Sequence, residues 1–279
     1  MACALCDGTG WRPVERDGVR RVERCDCWRT GLTERLMEDA RIPERYERCD
    51  LDKFDDYNDS LVEALRKARI FIDKFPVVDK GLLLVGNPGL GKTHIAVAIL
   101  KEVIRRNHAR GLYWATAKLL RRIRDTYNPV VKATERDVIR PVIEAELLVL
   151  DDLGVERLTD WVDETMNLIV NTRYNEKLPT IFTTNIPLSV PPKSHVETLV
   201  ERIGIRVYSR LQEMCQFVVL EGVDYRELGP GATKEELAEL LRKGSLSHKA
   251  PPGRGRAMAK ARLPEGQLDL GWTGGKAGT

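Results

Sequence analysis

The run GLLLVGNPGLGKTHIAVAILKEVIRR, residues 81–106, decides the fold of this 279-residue chain. Residues 82–85 form a short apolar run between glycines, which predicts a buried strand. Residues 86–93 match the pattern G-x-x-x-x-G-K-T, and the apolar side chains that follow recur at helical spacing, which predicts a helix over 93–106. The motif therefore lies between a strand and a helix, which is the setting of a phosphate-binding loop.

The loop has the groups that a nucleoside triphosphate and its Mg²⁺ require. Its glycines let the backbone turn N–H groups inward, and the N-terminus of the following helix adds partial positive charge. We expect Lys92 to reach the β and γ phosphates and Thr93 to ligate Mg²⁺. The residues expected to bind the nucleotide are Gly86, Asn87, Pro88, Gly89, Leu90, Gly91, Lys92 and Thr93.

A second apolar run, residues 147–150, leads directly into two acids. A strand over 147–151 would place Asp151 and Asp152 at its C-terminal end, where ligands bind in open α/β sheets. We expect Asp151 to hold the Mg²⁺ shell and Asp152 to be the base that orients or deprotonates the attacking water. The alternative for each acid is a cap on the loop that follows.

The rest of the central region alternates strands with helices. A further strand, TIFTT, ends at Asn185, which is either a site residue or a turn former before Pro187. Such alternation predicts an α/β fold with a five-stranded parallel sheet and helices on both faces. The predicted strands are 82–85, 112–116, 147–151, 180–184 and 216–220. The predicted helices are one over 93–106, more than one within 117–144, one over 161–176 and one over about 196–212.

Three arginines occur at intervals of four residues in the segment predicted as a helix over about 196–212. Arg202, Arg206 and Arg210 would lie on one face if their segment is a single helix. Arginine is planar and permanently charged, so one of them would suit the transferring phosphate of a neighbouring subunit. The alternative is a solvated face with ion pairs to Glu201 and Glu213.

Four of the six cysteines occur within the first 27 residues, as Cys3-x2-Cys6 and Cys25-x-Cys27. In a cytosolic protein such pairs are more often metal ligands than disulfides, and four thiolates suit a structural zinc with no open position. The residues between the pairs predict a two-stranded ribbon that turns at Asp17-Gly18. Because this segment has no core of its own, the metal would hold it together. The alternative is a redox-active or unliganded pair of cysteines.

Composition excludes some classes of protein. With 45 basic and 42 acidic residues the net charge is +3, so bulk charge indicates no partner. No apolar run approaches the length of a membrane span and no secretory signal is visible, so we expect a cytoplasmic protein.

After a short predicted helix at 233–243, the C-terminal stretch is rich in Gly, Pro, Ala and basic residues. We expect residues 229–279 to form a basic, mostly disordered tail.

The motifs GNPGLGKTH, LLVLDDLG, PTIFTTN and RVYSRLQEM, followed by LEGVDYR, resemble those of DnaC/DnaI-type helicase loaders and IstB-type transposition helpers. Both groups are AAA+ ATPases, and the resemblance spans about residues 41–226. It implies an AAA+ P-loop NTPase fold with ATP and Mg²⁺ as cofactors. It also implies Asn185 as the sensor of the γ phosphate and Arg210 as the arginine finger, with Arg206 a weaker match. Asp152 stands where many AAA+ proteins have glutamate.

The same resemblance implies that the part of the chain between the second and third predicted strands contacts single-stranded DNA. That region holds Lys118, Arg121, Arg122, Arg124, Lys132 and Arg136, and phosphate contacts from such a stripe tolerate any sequence. The alternative is a solvated helix face. DnaI-type loaders are similar in having a small zinc-binding N-terminal module that docks on the replicative helicase, a feature not typical of IstB-type helpers.

The sequence therefore predicts a zinc module (1–30), a lead-in with a linking helix (31–55), an AAA+ domain (56–228) and the tail (229–279). The favoured function is an ATPase, weak without its partner, that loads a hexameric DnaB-type replicative helicase. It would bind single-stranded DNA and self-associate through the AAA+ domain, with no membrane partner. The alternatives are an IstB-type helper acting on duplex DNA and a zinc-dependent adaptor with a weak or inactive ATPase.

Overall fold

The computed structural model describes residues 3–244 apart from 8, 17, 129, 131, 192–194 and 228–232. The strands of the described chain are β1 (Trp11–Arg16), β2 (Val19–Arg24), β3 (Gly81–Val85), β4 (Gly111–Ala115), β5 (Leu147–Asp151), β6 (Thr180–Thr184) and β7 (Cys215–Val219). Its helices are α1 (Cys27–Asp39), α2 (Asp59–Lys74), α3 (Lys92–Asn107), α4 (Thr116–Asp125), α5 (Glu135–Glu144), α6 (Asp160–Asn175), α7 (Leu199–Ile203), α8 (Ile205–Met214) and α9 (Lys234–Gly244).

Five strands form one parallel sheet in the order β4-β5-β6-β3-β7, which confirms the predicted fold class. The strand that precedes the glycine-rich loop, β3, lies between β6 and β7, and its Leu82 is paired with Ile181 and Gln216. Because all five strands run the same way, their C-terminal ends share one edge of the sheet. This edge brings together the residues that follow β3, β5 and β6.

Alternating side chains of the central strands point into two separate cores. Leu82 and Leu84 of β3 pack in the core that α2 and α3 cover, whereas Leu83 and Val85 pack in the core that α4 to α8 cover. A strand that is apolar on both faces must be covered on both faces, which explains the continuous apolar runs of β3 and β5.

Helix α2 was missed by the sequence reasoning, although its pattern is regular. Asn58 accepts a hydrogen bond from the Leu61 amide and begins the helix. Six residues then bury one face at helical spacing: Leu61, Ala64, Leu65, Ala68, Phe71 and Ile72.

One predicted helix is divided in the structure, and another predicted helical region forms as expected. The helices expected over 117–144 are α4 and α5, and Thr134 begins α5 with a capping box to Asp137. The helix expected over 196–212 is α7 and α8, separated at Gly204, whose φ is 79°. The expectation that three arginines share one helix face is therefore wrong for Arg202, which lies on α7.

The N-terminal ribbon forms as predicted, with β1 and β2 paired antiparallel; Gly8 and Asp17 lie outside the described residues. The linking helix expected from Gly31 begins earlier, at Cys27. After α1 ends, the Ala40 carbonyl accepts a 2.8 Å hydrogen bond from the Tyr113 amide. The N-terminal segment is thus joined to β4, the edge strand of the main sheet.

The predicted helix at 233–243 corresponds to α9. Its Leu237 is fully buried, and the ammonium of Lys234 pairs with Asp56. Residues 245–279 of the expected tail lie outside the described residues. In the part of the chain that the structure describes, no helix combines the length and apolar character needed to cross a bilayer.

Candidate nucleotide-binding site

The glycine-rich loop joins β3 to α3 at the carboxyl edge of the sheet. Gly89 and Gly91 both have φ of 80°, a left-handed conformation that glycine adopts without strain. A side chain at Gly91 would also meet the Phe54 ring, 2.3 Å from its Cε2. The loop therefore requires glycine here for both its turn and its close packing.

Lys92, the first residue of α3, lies beneath this loop. Its side chain is 5% exposed, and its Nζ donates to the Gly86 carbonyl at 2.8 Å and the Asn87 carbonyl at 2.7 Å. Burial lowers the pKa of Lys92 to about 8, against the attraction of Asp152 and Asp151. The ammonium is thus held against the loop by two of its carbonyls, in a buried environment that favours an anion beside it.

Asp151 ends β5 with its carboxylate 2% exposed and fully engaged. Its Oδ1 accepts from the Thr93 hydroxyl at 2.8 Å and the Thr183 hydroxyl at 2.6 Å. Its Oδ2 accepts from the Tyr113 hydroxyl at 2.7 Å. The two residues that the sequence predicted as Mg²⁺ ligands, Thr93 and Asp151, are therefore adjacent, with oxygens of the type that Mg²⁺ prefers.

Asp152 follows β5 and Asn185 follows the neighbouring strand β6. Both residues line a cavity that lies over the glycine-rich loop. The Asn185 Nδ2 lies 3.5 Å from the Asp152 Oδ1, at the long limit of a hydrogen bond. Burial raises the pKa of the Asp152 carboxyl, the charge of Asp151 raises it further, and Lys92 and Arg226 oppose the shift. A more basic carboxylate beside a polar amide has the properties that water activation needs.

The cavity over the loop has a volume of about 560 Å³, within the range of small-molecule sites. One side is the loop itself with Asp152 and Asn185. The opposite side belongs to the lead-in, which the sequence reasoning treated as a linker. The lead-in residues that line the cavity are Arg45, Tyr46, Lys53, Phe54 and Asp55, and Tyr57 lines it just beyond the lead-in.

The lead-in is held against the loop by His94 and Phe54. The His94 Nε2 lies 2.7 Å from the Asp50 carbonyl, and the Phe54 ring meets the His94 ring edge-on with centroids 5.4 Å apart. The aromatic residues of the segment ERYERCDLDKF were the available sequence signal. They form the apolar part of the cavity wall, which suits a nucleobase.

A third side of the cavity comes from the segment after β7, to which the sequence reasoning gave no role. The Tyr225 amide donates to the Gly89 carbonyl at 3.2 Å, so this segment contacts the loop directly. Arg226 lines the cavity, is largely exposed and lies 3.6 Å from the Asp224 carboxylate. A permanently charged group is therefore within the same cavity as Lys92.

The arginines of α7 and α8 do not line this cavity. Arg210 donates to the Asn171 side chain at 3.0 Å, and its guanidinium lies 4.5 Å from the Tyr174 ring centroid on the outer surface of α6. Arg202 donates to the Gly154 carbonyl at 2.9 Å and the Val155 carbonyl at 2.7 Å, so it supports the loop after Asp152. Arg210 thus lies outside the cavity of its own chain, and its guanidinium is also 3.7 Å from the Glu213 carboxylate, the ion pair that the sequence offered as the alternative.

Helix α4 separates its apolar and basic residues as predicted. Leu119, Leu120 and Ile123 are buried in the core, and the basic residues on the other side are exposed. The Arg124 guanidinium lies 4.6 Å from the ring centroid of Trp161, on which Tyr127 packs edge-on. The exposed basic residues are Lys118, Arg121, Arg122 and Arg124 on α4, Lys132 between the helices and Arg136 on α5.

The four N-terminal cysteines converge at one point. Their Sγ atoms all lie within 4.8 Å of one another, with Cys3 to Cys25 at 3.8 Å and Cys6 to Cys27 at 3.3 Å. A tetrahedron with zinc–sulfur bonds of about 2.3 Å has sulfurs about 3.8 Å apart. The residues present therefore fit a four-thiolate metal site.

Comparisons with known proteins agree with this geometry. The family described as IstB-like ATP binding protein matches residues 27–228. The chain belongs to this family. The replicative helicase loader DnaC of Escherichia coli K12 is 26% identical over 179 residues, which are 64% of this chain and 69% of that protein.

Two solved structures extend the comparison with this IstB-like family. That of a DnaC helicase loader is 36% identical, has a TM-score of 0.56 and covers 64% of this chain and 100% of its own. That of DnaI is 25% identical, has a TM-score of 0.54 and covers 67% of this chain and 95% of its own. The predicted family and the AAA+ fold are both confirmed, and the chain is homologous to DnaC and DnaI helicase loaders at modest identity.

Proposed function

We propose that this protein is an ATP-dependent loader of a hexameric replicative helicase of the DnaB type. In this proposal it binds ATP with Mg²⁺, hydrolyses it to ADP and phosphate, and is released from the helicase after hydrolysis. The observation that carries the proposal is the 2.8 Å hydrogen bond between Thr93 and Asp151 under a glycine-rich loop. It supports a complete magnesium nucleotide site in a chain homologous to helicase loaders.

The residues of the cavity suggest a division of roles. The loop amides and Lys92 would bind the phosphates, Thr93 and Asp151 would hold Mg²⁺, and Asp152 with Asn185 would orient the attacking water. When bound, Mg²⁺ would supply positive charge to the phosphate oxygens. Arg226 is close enough to influence the pKa of both Lys92 and Asp152, which supports an additional contact with phosphate.

Arg210 would act on the nucleotide of a neighbouring subunit. It is on the outer surface, held by Asn171 and Tyr174 rather than by its own nucleotide cavity. In this proposal a second copy of the chain would receive this arginine at its own cavity, which requires self-association through the AAA+ domain.

The DNA and helicase contacts are proposed for two separate surfaces. The exposed basic face of α4 would follow the backbone of single-stranded DNA, with an affinity that falls steeply as salt increases. The zinc module, with its exposed Trp11, Val19 and Val22, would dock on the helicase. Apolar side chains exposed this far suit a protein partner.

The most direct test is co-migration of the purified protein with the hexameric helicase of its host, with and without ATP. We expect a complex whose stability depends on the nucleotide. If the two proteins elute separately under both conditions, at concentrations well above micromolar, the loader proposal is wrong.

The IstB-like family name keeps a second candidate open, a helper that acts on duplex DNA for a transposase. This function predicts stable ATP-dependent clusters on duplex DNA. A preference for single strands, with no oligomer on duplex, would favour the loader.

An adaptor with an inactive ATPase is the third candidate. The intact set of Lys92, Thr93, Asp151 and Asp152 at one sheet edge argues against it. Phosphate release by the wild type and by Lys92→Ala decides the question, because equal rates would favour the adaptor.

A further inference from the structure

We propose that Tyr113 and Thr183 are positioning residues that fix the carboxylate of Asp151 for metal binding. Neither residue lines the nucleotide cavity. Tyr113 would act through Asp151, and Thr183 would act through Asp151 while its hydroxyl also accepts from the Asp152 amide at 2.9 Å. The inference rests on the proposed function, in which Asp151 holds Mg²⁺.

The two residues reach Asp151 from the strands on either side of it. Tyr113 on β4 donates to Oδ2 at 2.7 Å, and Thr183 on β6 donates to Oδ1 at 2.6 Å. Thr93 donates to Oδ1 as well, at 2.8 Å. With one donor from each side, the carboxylate plane cannot rotate without breaking a short hydrogen bond to a charged acceptor.

Tyr113 is itself held in place through its backbone amide and its ring. Its amide donates to the Ala40 carbonyl, and its ring packs near the Tyr46 ring with centroids 6.3 Å apart. The residue is 5% exposed, and Asp151 is the hydrogen-bond partner of its hydroxyl in the described part of the chain. Packing alone would be satisfied by phenylalanine, so the hydroxyl indicates a role at the carboxylate.

Removing such a partner is expected to weaken metal binding rather than nucleotide binding. Loss of a group that orients a metal ligand typically costs about 10- to 100-fold in metal affinity. For Tyr113→Phe and for Thr183→Val we therefore expect the Mg²⁺ concentration for half-maximal binding of a fluorescent ATP analogue to rise about tenfold. Binding of the same analogue in EDTA is expected to stay unchanged, because the loop and the lead-in remain intact.

The control is Thr184→Val on the same strand as Thr183. The Thr184 hydroxyl is also buried, but it donates to the Leu153 carbonyl at 2.9 Å instead of to the carboxylate. Its Mg²⁺ titration is expected to overlay that of the full-length wild-type protein. A second measurement uses Asp151→Asn, in whose background Tyr113→Phe should change the titration no further.

The outcomes separate this inference from the proposed function. If the wild type binds no nucleotide in a Mg²⁺-dependent way, the proposed function itself fails. If the wild type does and both variants give its titration within twofold, the positioning role is wrong. A variant that loses binding equally in EDTA and in Mg²⁺ would show a structural role only, and this outcome also overturns the inference.

Discussion

Lys92 is a charged residue whose surroundings disfavour its charge, and this makes nucleotide binding dependent on pH. Its pKa in the free protein is about 8, below the ordinary 10.5, because it is buried. Phosphate oxygens favour the ammonium, so binding raises this pKa and takes up a proton. Above pH 8 the free protein has already lost that proton. The affinity for magnesium ATP should therefore fall as pH rises through about 8, by up to about tenfold per pH unit.

Calorimetric titration in buffers of different protonation enthalpy checks this prediction. We expect proton uptake near zero at about pH 7 and close to one proton at about pH 9. The matched variant Lys92→Met should bind more weakly and lose the increase. The same uptake at both pH values in the wild type would contradict a buried, destabilised ammonium.

Arg173 is the largest fully buried side chain of the described chain, and it donates hydrogen bonds to backbone carbonyls and one threonine hydroxyl rather than to an acid. Burial lowers its pKa to about 9. Arg173→Met would remove these bonds and leave buried acceptors unsatisfied, which should lower the free energy of unfolding by about 3 kcal/mol. Chemical denaturation measures this change, and Arg140→Met, on an exposed ion pair, is the control expected to change little. The acceptors of Arg173 are Thr180 Oγ1 and the carbonyls of Val142, Ile143, Ala145 and Pro179.

At the level of helices and strands, the predictable parts are those that local pattern determines. The strands β3, β5 and β6 and the helix α3 agree with their predictions to within one residue at each end, because apolar runs and helical spacing mark them directly. The break at Gly204 was not predicted, since one glycine inside a helical pattern is often tolerated.

The cavity wall formed by the lead-in was also missed, for a different reason. It depends on Phe54 meeting a loop some 40 residues later in the chain, and no local pattern encodes such a contact. We expect Phe54→Ala to weaken nucleotide binding by up to about tenfold, since aromatic contacts typically contribute about 0.5–1.5 kcal/mol beyond the area they bury. Competition between ATP and a fluorescent analogue measures this affinity. Val77→Ala, at an exposed site outside the cavity, is the control, and equal losses in both variants would contradict a wall at Phe54.

At the scale of the whole molecule, the main sheet and the N-terminal ribbon differ in whether an apolar core stabilises them. The main sheet is buried between two apolar cores that need no metal. In the N-terminal segment only Cys6 and Cys25 are buried among the described residues of 3–26, so the ribbon has no apolar core. We therefore expect a metal bound by the four cysteines to supply much of the energy that holds β1 against β2.

Removal of zinc should consequently unfold the ribbon and leave the main sheet intact. After treatment with a strong chelator, we expect the amides of β1 and β2 to exchange with deuterium at the rate of an unfolded chain, while those of β3 to β7 keep their protection. Mass spectrometry of the exchanged peptides measures both regions in one experiment. Cys25→Ser should give the same result without chelator, and chelator should then add nothing. A ribbon that stays protected without metal would contradict the zinc site. Suppose that metal removal abolishes both the protection of the ribbon and the co-migration with the helicase, while ATP binding persists. The two parts would then have separate functions, since the sheet would bind nucleotide and the metal-held ribbon would bind the partner.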